Sequence, residues 1–528
     1  MFPLVTSSSL ALDSKWLSWC GKHYQPGSPA VPPLGKMNPP ERSSIPLLDF
    51  RCTPTIQPYL STDLSASILL DLYTSWTHGV PLTSTDMVLD QESGINWIQT
   101  DGSSYQVFVS AKTASSHSET YPLLASSISL NSTTEAFFDI SLLPPAVEPY
   151  TITCSLLPLP QGLISENRLI ETTSLLRILP ETNPWGGSTT RIDRRKGSIL
   201  VPVNGGWEPI LPVGFYTNYG DYLAKDLSHL DEMKKLGFNT VHPVPTFDDI
   251  DILKKVLDHA EKIGLWLMYD MRHTYTDSVK VKDQVKMIQS YKNLLVWYTA
   301  DEPDGNEDSL SSTRTAYDLI YDLDKGYHPV SLVLNCADYF FADHVSGADI
   351  VLIDTYSFNV NLTFSSTWHT PCNETYGCCG CDNCYYGGAR DVSERLDQMN
   401  KFRTWLGWER RITFWGVPQA FGGSEYWTSE PTTQELLLSS ILGLIHGTKG
   451  IIPWVAPTSD SLTSAFSTLS NHITNTLSRV ILSPEHVDSP IDTSLAHRTS
   501  ILLAGQTRTR LSSCWPISGT RWNTWKSS

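Results

Sequence analysis

The chain has 528 residues and a formal net charge of -17, and 10% of its residues are aromatic, including 17 tryptophans. Nucleic acids and anionic membrane surfaces bind basic faces, so the acidic balance argues against both as the main partner. No uninterrupted apolar run reaches the roughly 18 residues of a membrane span, so a membrane anchor is not expected. The length predicts two or three domains.

The first 190 residues predict β-structure with little that could carry chemistry. Residues 1–45 are rich in proline, serine and glycine and carry no period, which is typical of an extended lead-in. From 46 to 190, short alternating runs recur between turn residues, and this spacing predicts an antiparallel β-sandwich. The clearest runs are residues 65–73, 105–110, 135–140 and 150–157.

The pattern changes after residue 190. Between 195 and 482, strand-like runs alternate with amphipathic helical ones, and eight such pairs predict an α/β fold, a (β/α)8 TIM barrel that follows the sandwich. The strand-like runs cover residues 211–216, 240–244, 265–270, 294–299, 330–335, 350–354, 412–417 and 451–455. An open doubly wound sheet would need a glycine-rich phosphate loop after its first strand, and none follows here. We interpret residues 483–528 as an irregular tail or a truncated second sandwich.

Five of the ten cysteines fall within residues 372–384. Cys381 and Cys384 have the C-x-x-C spacing of a zinc site, whereas an oxidising environment would pair the cysteines of this loop in disulfides. Three Asn-x-Ser/Thr sequons favour disulfides and a secreted, extracellular glycoprotein. They begin at Asn131, Asn361 and Asn373. We therefore expect a disulfide-bonded loop without metal, although the amino terminus has no signal-peptide pattern.

The apolar run that starts at Leu294 ends abruptly in acidic residues. It gives way to Asp301 and Glu302, and Pro303 then stops the strand. In a parallel α/β barrel, catalytic residues lie at the carboxyl ends of the strands. The alternative is an acidic loop that only happens to follow a strand. A carboxylate wedged between the strand and Pro303 would be costly without a role, which favours the catalytic interpretation of Glu302.

Polar or aromatic side chains are predicted at the carboxyl ends of all eight strands. Such a crevice suits a sugar, because carboxylates transfer protons, amides bind hydroxyls and rings stack on apolar sugar faces. We therefore predict a carbohydrate substrate, bound without a cofactor or a metal. The predicted substrate-binding residues are Tyr216, His242, Asp270, Arg272, Asn335, Tyr356, Gln419 and Trp454. Alternatively, Asp270 and Arg272 only neutralise each other, and His242 is a packed histidine.

The run Trp297-Tyr-Thr-Ala-Asp-Glu-Pro303 resembles the Asn-Glu-Pro signature of retaining (β/α)8 glycoside hydrolases, in which the glutamate is the acid/base. A sandwich followed by Gly206-Trp-Glu-Pro-Ile-Leu-Pro-Val-Gly-Phe-Tyr216 also resembles the start of the barrel in multidomain β-glycosidases. More narrowly, the chain resembles secreted fungal glycoside hydrolase-like proteins with the same cysteine-rich loop. The resemblance spans residues 195–480 at the level of pattern, and it implies that Glu302 is the acid/base.

Two departures from the family pattern leave the mechanism open. Gln419 follows strand seven, where the family has a nucleophilic glutamate, and Asp301 replaces the usual asparagine. The second carboxylate is then expected to be Asp354 or Asp270 on a neighbouring strand, or Glu425 in the loop after strand seven.

The sequence thus predicts a glycoside hydrolase of O-glycosidic bonds with Glu302, Asp301 and Asp354 as its catalytic residues. We expect burial and the charge of Asp301 to raise the pKa of Glu302. In an alternative mechanism, Asp301 and Glu302 resemble the pair of hexosaminidases, with Asp301 orienting an acetamido group for substrate-assisted cleavage. The competing class, which Gln419 favours, is a non-catalytic carbohydrate-binding or cell-wall protein on a decayed barrel.

Overall fold

The computed structural model describes residues 16–81, 88–89, 96–97, 104–113, 119–157, 169–377 and 379–482, so the predicted tail at 483–528 lies outside it. Up to residue 210 the described residues form β-strands and a short 3₁₀ helix, Ile140–Leu142. The strands are β1 (Ser18–Trp19), β2 (Lys22–His23), β3 (Leu47–Pro54), β4 (Ile56–Gln57), β5 (Tyr59–Leu60), β6 (Ser65–Ser75), β7 (Val80–Pro81), β8 (Val88–Leu89), β9 (Asn96–Trp97), β10 (Ser104–Lys112), β11 (Thr120–Ser129), β12 (Ser132–Asp139), β13 (Tyr150–Leu157), β14 (Ile170–Leu176), β15 (Ile178–Leu179), β16 (Arg191–Asp193), β17 (Ser198–Val203) and β18 (Gly206–Ile210).

Two four-stranded antiparallel sheets share one apolar core. Their strand orders are β11–β10–β13–β14 and β12–β6–β3–β7. Alternate residues of β10, Tyr105, Val107, Val109 and Ala111, are buried in this core, as the two-residue period of a half-exposed strand requires. The antiparallel strands predicted between residues 65 and 157 are confirmed.

Beyond residue 213, parallel strands alternate with helices. Seven strands form one sheet in the order β19–β20–β21–β22–β23–β24–β27. The strands after residue 213 are β19 (Gly214–Asn218), β20 (Thr240–Val244), β21 (Trp266–Asp270), β22 (Leu294–Asp301), β23 (Val330–Leu334), β24 (Ile350–Ile353), β25 (Phe364–Ser365), β26 (Thr370–Pro371) and β27 (Thr413–Gly416). The α-helices are α1 (Ser228–Lys235), α2 (Ile250–Lys262), α3 (Ser278–Ile288), α4 (Ser312–Asp324), α5 (Phe341–Val345), α6 (Ala389–Trp405), α7 (Thr433–Ile445), α8 (Asp460–His472) and α9 (Ser478–Ile481), and two π-helical turns cover Tyr219–Leu223 and Ile473–Leu477. The first seven predicted parallel strands are confirmed.

The last predicted strand is irregular, yet it hydrogen-bonds to both edges of the parallel sheet. On the β19 side, the amide of Gly214 donates to the carbonyl of Ile451 (3.3 Å). On the β27 side, the amide of Ile452 donates to the carbonyl of Gly416 (3.0 Å). Pro453 has no amide hydrogen and interrupts the ladder, which explains why no regular strand forms. The two edges of the sheet therefore meet through this segment.

Local sequence signals begin and end the helices around the sheet. The side chain of Asp249 accepts hydrogen bonds from two backbone amides in the first turn of α2. Gly264, just past the end of α2, has a φ of +72°, the left-handed conformation that ends many helices. Thr432 and Glu435 form a reciprocal capping box at the start of α7. None of the helices in the described part of the chain is long and apolar enough to cross a membrane.

Four disulfide bonds join cysteines of the described residues. The loop at 372–384 contains two of them, so the prediction of disulfides there is confirmed, and its C-x-x-C pair is one of the two. A third joins β3 to β13, and the fourth ties the amino-terminal segment to the residues that follow β23. The pairs are Cys20–Cys336, Cys52–Cys154, Cys372–Cys379 and Cys381–Cys384. Cys378 lies outside the described residues.

Candidate active site

A cavity of about 600 Å³ lies at the carboxyl ends of the parallel strands. This volume is within the range of small-ligand sites. Its lining combines carboxyl groups with aromatic rings and, over the described residues, contains no lysine or arginine. The acidic lining residues are Asp301, Glu302, Asp354 and Glu425. The aromatic ones are Trp19, Tyr24, Tyr216, Tyr356, Phe421, Tyr426, Trp427 and Trp454.

Glu302 stands at the end of β22 in an unusual backbone conformation. Its φ is +50°, in the left-handed region that residues other than glycine seldom adopt, and such conformations cluster at functional sites. Its amide donates to the carbonyl of Val333 on the adjacent strand (3.2 Å). Nδ2 of Asn335 donates to its carboxyl oxygen Oε1 (3.1 Å). These contacts to β23 and the residues after it hold the carboxyl group at the cavity wall.

Glu302 and Asp354 form a pair of interacting carboxyl groups. Burial raises the pKa of Glu302 to about 7; a hydrogen bond with Asp354 opposes this shift, and the charges of Asp301 and Asp304 add to it. Burial also raises the pKa of Asp354 well above its usual range, and the charge of Glu302 raises it further. The shift of Glu302 thus has the predicted direction. Both carboxyl groups therefore hold a proton to higher pH than a carboxyl group in water does.

Side chains around Asp301 hydrogen-bond its carboxylate, and one of them, Arg272, balances its negative charge. Nη1 of Arg272 lies 2.8 Å from Oδ2 of Asp301, and Nε of Arg272 lies 2.8 Å from Oδ2 of Asp270. The hydroxyl of Tyr298 donates to Oδ1 of Asp301 (2.6 Å). The guanidinium carbon of Arg272 is 5.0 Å from the centre of the Trp454 ring. Each oxygen of Asp301 therefore already has a protein partner.

Most of the predicted site residues meet in this cavity. Because the carboxyl ends of parallel strands lie at one edge of a sheet, side chains far apart in sequence are brought together there. Predicted residues that line the cavity are Tyr216, Asp301, Glu302, Asn335, Asp354, Tyr356 and Trp454. Glu425, the alternative second carboxylate, lines it as well. Their catalytic and binding roles stay predictions.

Four predicted residues do not line the cavity, and each is tied to the protein instead. Nε2 of His242 lies 2.7 Å from Oδ2 of Asp270, and both side chains are fully buried. Asp270 in turn pairs with Arg272, which matches the neutralisation considered as the alternative. The amide group of Gln419 accepts from the amide of Phe358 (3.1 Å) and donates to its carbonyl (3.2 Å). These four side chains are therefore held by internal hydrogen bonds and ion pairs in this structure, and their substrate-binding roles stay predictions.

Several lining residues were not predicted from the sequence. Trp19 and Tyr24 come from the amino-terminal segment that was expected to be an extended lead-in, and Trp427 comes from the loop after β27. Trp427 is fixed by its indole N–H, which donates to the carbonyl of Tyr356 (3.0 Å). No local pattern marks these positions, because contacts between remote segments bring them to the cavity. The Cys20–Cys336 disulfide brings the amino-terminal segment to the cavity, and it could have indicated this position in advance. Disulfide pairings, however, do not follow from sequence alone.

No family model matches the chain, and no curated protein matches it. Among solved structures, it is similar to a β-glucuronidase from Ruminococcus gnavus in complex with an N1-substituted uronic isofagomine, at 10% identity over 82% of this chain and 68% of that chain, with a TM-score of 0.38. It is similar to Bifidobacterium dentium β-glucuronidase complexed with coumarin-3-O-glucuronide, at 12% identity over 81% and 67% of the two chains, with a TM-score of 0.36. A glycosyl hydrolase family 2 member from Bacteroides cellulosilyticus is 12% identical over 81% of this chain and 50% of that chain, with a TM-score of 0.35. Similarities this low establish neither fold nor activity, so the chemistry must come from the residues of the site.

Proposed function

We propose that this protein is a glycoside hydrolase that cleaves O-glycosidic bonds, with Glu302 and Asp354 as its two carboxyl groups. The observation that carries the proposal is the interaction of these groups inside one acidic and aromatic cavity. Glycoside hydrolysis generally needs such a pair, because one group protonates the leaving oxygen while the other attacks the sugar or activates water.

One shared proton lets the pair fill both roles. Two buried carboxyl groups in contact ionise one after the other, so one remains an acid while its partner is a carboxylate. We assign the acid/base role to Glu302, whose pKa of about 7 lets it give and take a proton near neutrality. Because the charge of Glu302 raises the pKa of Asp354 further, the free protein holds the shared proton on Asp354, and this proton must pass to Glu302 when the substrate binds. We assign the second role to Asp354, whose Oδ1 is buried without a hydrogen-bond partner among the described residues. Once the proton is on Glu302, an ionised Asp354 faces the positive charge that develops on the sugar.

The cavity suits a neutral or weakly basic glycan. Its lining carries four carboxyl groups and, within the described part of the chain, no basic side chain, so the carboxylate of a uronic acid would meet like charges. Aromatic rings such as Trp427 and Trp454 offer flat surfaces for the apolar faces of sugar rings. Asn335, whose amide lies at the carboxyl pair, supplies hydrogen bonds to hydroxyl groups.

Substrate-assisted cleavage is less well supported than a second protein carboxylate. That mechanism needs Asp301 to accept a hydrogen bond from the acetamido group of the substrate. Both oxygens of Asp301 already accept hydrogen bonds, from Arg272 and Tyr298. Asp354, in contrast, has an oxygen, Oδ1, that no group in the described part of the chain hydrogen-bonds.

We also propose that the parallel sheet and the segment after residue 450 form a (β/α)8 barrel over residues 195–482, preceded by a sandwich at 46–190. We propose in addition that the protein is secreted. The hydrogen bonds of that segment to both sheet edges support the barrel. The four disulfides and the exposed sequon residues Asn131, Asn361 and Asn373 support secretion and glycosylation. Mass analysis of the secreted protein before and after glycan removal tests this proposal.

The decisive experiment is hydrolysis of a panel of aryl glycosides by the parent protein and by Glu302→Gln prepared in the same way. We expect the parent to cleave at least one neutral hexoside or N-acetylhexosaminide and not the aryl glucuronide. Glu302→Gln should be slower by on the order of 100-fold or more on poor leaving groups, since general acid catalysis contributes at least that much, and less affected on good ones. Equal rates of both proteins on every leaving group would place the acid elsewhere.

One observation favours a non-catalytic carbohydrate-binding protein. The two carboxyl groups are in hydrogen-bond contact, whereas a retaining pair stands about 5–5.5 Å apart to admit the sugar carbon. The proposed hydrolase must therefore separate the pair when the substrate enters. Binding of a neutral oligosaccharide without release of product, with Glu302→Gln binding as well as the parent, would support this second function.

A further inference from the structure

The amino-terminal segment around residues 16–28 closes one side of the cavity. Its short hairpin of β1 and β2 is anchored by the Cys20–Cys336 disulfide and by the amide of Cys20, which donates to the carbonyl of Gly305 (3.3 Å). Gly305 leaves room for the Trp19 ring, since a Cβ at that glycine would lie 2.4 Å from it. Trp19 is thereby held at the cavity wall beside Asn335, which lies 316 residues away in sequence.

The backbone of Asn335 is fixed from both sides. Its amide donates to Oδ1 of Asp304 (3.3 Å), and its carbonyl accepts from Nη1 of Arg395 (2.6 Å). The next amide, that of Cys336, donates to Oδ2 of Asp304 (2.8 Å), and the disulfide to Cys20 follows directly. The remaining freedom of Asn335 is the orientation of its own side-chain amide.

Trp19 removes that remaining freedom. Its indole Nε1 lies 3.0 Å from Oδ1 of Asn335, and Nδ2 of the same amide lies 3.1 Å from Oε1 of Glu302. An indole nitrogen is a donor only, so it can face only the oxygen of the amide. The nitrogen of the amide must then point to Glu302.

We infer that Trp19 is a positioning residue for Glu302, which it controls by orienting the side-chain amide of Asn335. The inference rests on the proposed function for its catalytic meaning, whereas the contact chain itself does not depend on turnover. It also assigns a task to the disulfide of Cys20, which keeps the amino-terminal segment at the active site.

The expected effect on the pKa of Glu302 depends on whether the nitrogen or the oxygen of the Asn335 amide points to its carboxyl group. With Trp19 in place, Asn335 donates to Glu302 and favours the ionised carboxylate. In Trp19→Phe the ring remains but the N–H is lost, so the amide is free to turn its oxygen toward Glu302 and favour the protonated acid. The pKa of Glu302 should therefore rise, by about 0.5 to 1 pH unit for the loss of one hydrogen bond to a carboxylate.

The other groups that face Glu302 are unchanged by this substitution. The charged and titratable groups that act on it are Asp301, Asp304, Asp354, Arg272 and Tyr356, and Glu425 lines the same cavity. None of them accepts a hydrogen bond from Trp19, so a shift in Trp19→Phe reports the route through Asn335.

The test is the pH dependence of carbodiimide labelling at Glu302, read by peptide mass spectrometry, because this reagent modifies protonated carboxyl groups. The matched control is Trp368→Phe, which also loses an indole N–H near the cavity, since Nε1 of Trp368 donates to the hydroxyl of Tyr426 (2.5 Å) rather than to Asn335. Asn335→Ala and its combination with Trp19→Phe complete a double-mutant cycle. Peptide mapping of the Cys20–Cys336 bond confirms that the segment remains attached in each variant.

We expect the labelling midpoint to rise in Trp19→Phe and in Asn335→Ala, to stay unchanged in Trp368→Phe, and to show no further rise in the double variant. In pH–rate profiles, the alkaline limb of kcat/KM should move up by the same amount. The inference is overturned if Trp19→Phe leaves the midpoint unchanged, if Trp368→Phe moves it equally, or if the two effects add in full. A parent protein that labels as expected but cleaves no glycoside would refute the proposed hydrolase and leave the positioning role standing.

Discussion

The two ends of the parallel sheet carry two different clusters of polar side chains. At the amino ends of β22 and β23, Oγ of Ser188 lies 2.9 Å from Nε2 of His328, and Nδ1 of His328 lies 3.0 Å from Oδ1 of Asp324. We call these three residues the amino-end cluster. Its order and distances are those of a hydrolytic triad. At the carboxyl ends, Glu302 and Asp354 line the cavity.

The two clusters differ in access and in satisfaction of their hydrogen bonds. The three residues of the amino-end cluster are at most 7% exposed, and Oγ of Ser188 also lies 2.7 Å from the carbonyl of Leu294. The single proton of the hydroxyl is thus divided between a carbonyl and the histidine. Asp354, by contrast, has a buried oxygen without a partner among the residues that the structure describes, and its neighbour Glu302 is itself a carboxyl group. Residue types and spacing alone therefore do not make a site, since a reacting group also needs a free atom that faces a cavity.

The sharpest test of this contrast is Asp354→Asn, which should have the largest effect on rate. We expect a loss of at least about 1,000-fold on good and poor leaving groups alike, because the second carboxyl group acts in every turnover. Stability should not fall, since the change removes a buried carboxyl group whose pKa burial raises. Rates are measured with aryl glycosides and stability by urea unfolding.

Asp301→Asn is the matched control for the loss of a cavity carboxylate. It restores the asparagine of the family motif, and we expect it to be milder than Asp354→Asn. If Asp301→Asn were the more damaging change and only N-acetylated substrates were cleaved, substrate-assisted cleavage would replace the proposed mechanism.

The amino-end cluster should respond in stability and not in rate. His328→Ala removes the partner of Oδ1 of the fully buried Asp324 and leaves only the backbone amide of residue 328 on Oδ2, so we expect a loss of about 3 kcal/mol in the free energy of unfolding. The control is His344→Ala, because the buried ring nitrogens of His344 have no hydrogen-bond partner within the described structure. That change removes packing without stranding an acid, so it should cost about 2 kcal/mol less. A fall in the turnover of folded His328→Ala protein would contradict the structural assignment.

The cavity at the carboxyl ends of the strands could be predicted from the sequence, because the position of these strand ends depends on the topology of the sheet alone. Strands of a parallel sheet end at one edge, so Asp301, Glu302, Asn335 and Asp354 gather wherever each strand stops. The topology does not determine the direction in which each side chain points. Gln419 lies at such an end, yet its amide hydrogen-bonds the backbone of the next loop.

The features that the sequence did not predict depend on contacts between residues that are far apart in the chain. Trp19 reaches the cavity through a disulfide that spans 316 residues, and no local period encodes such a contact. The eighth strand was predicted as regular, but Pro453 leaves it with only scattered bonds to its two neighbours. The amino-end cluster escaped prediction for the same reason, since Ser188 lies far from His328 in sequence.

The buried acid Glu302 should cost the protein stability at alkaline pH. Its pKa is raised from 4.5 to about 7, so the folded state binds a proton more tightly than the unfolded state. The stability that this proton confers is complete below pH 4.5 and is lost as the pH rises to 7. Glu302→Gln should therefore be more stable than the parent by about 2 kcal/mol at pH 8, after allowance for partial exposure, and equal to it at pH 4. Urea unfolding at the two pH values measures the difference, and a stability gain that is the same at both would exclude titration as its cause.

The smallest expected effect concerns Ser188, the residue that most invites a catalytic interpretation. Ser188→Ala removes one buried hydroxyl and leaves the Nε2 side of His328 without a partner, so we expect a loss of about 1 kcal/mol in the free energy of unfolding and unchanged turnover. Ser331→Ala is the matched control, because its buried Oγ donates to the carbonyl of Trp297 (2.9 Å), so this hydroxyl bonds a backbone carbonyl and not a histidine. Similar costs for the two variants would identify both hydroxyls as structural.

A chemical test of the same assignment is exposure of the native protein to a fluorophosphonate, which reacts with activated serines. Labelling of Ser188 would show that the amino-end cluster has a nucleophile within reach of solvent, and the contrast between the two ends of the sheet would then have to be abandoned.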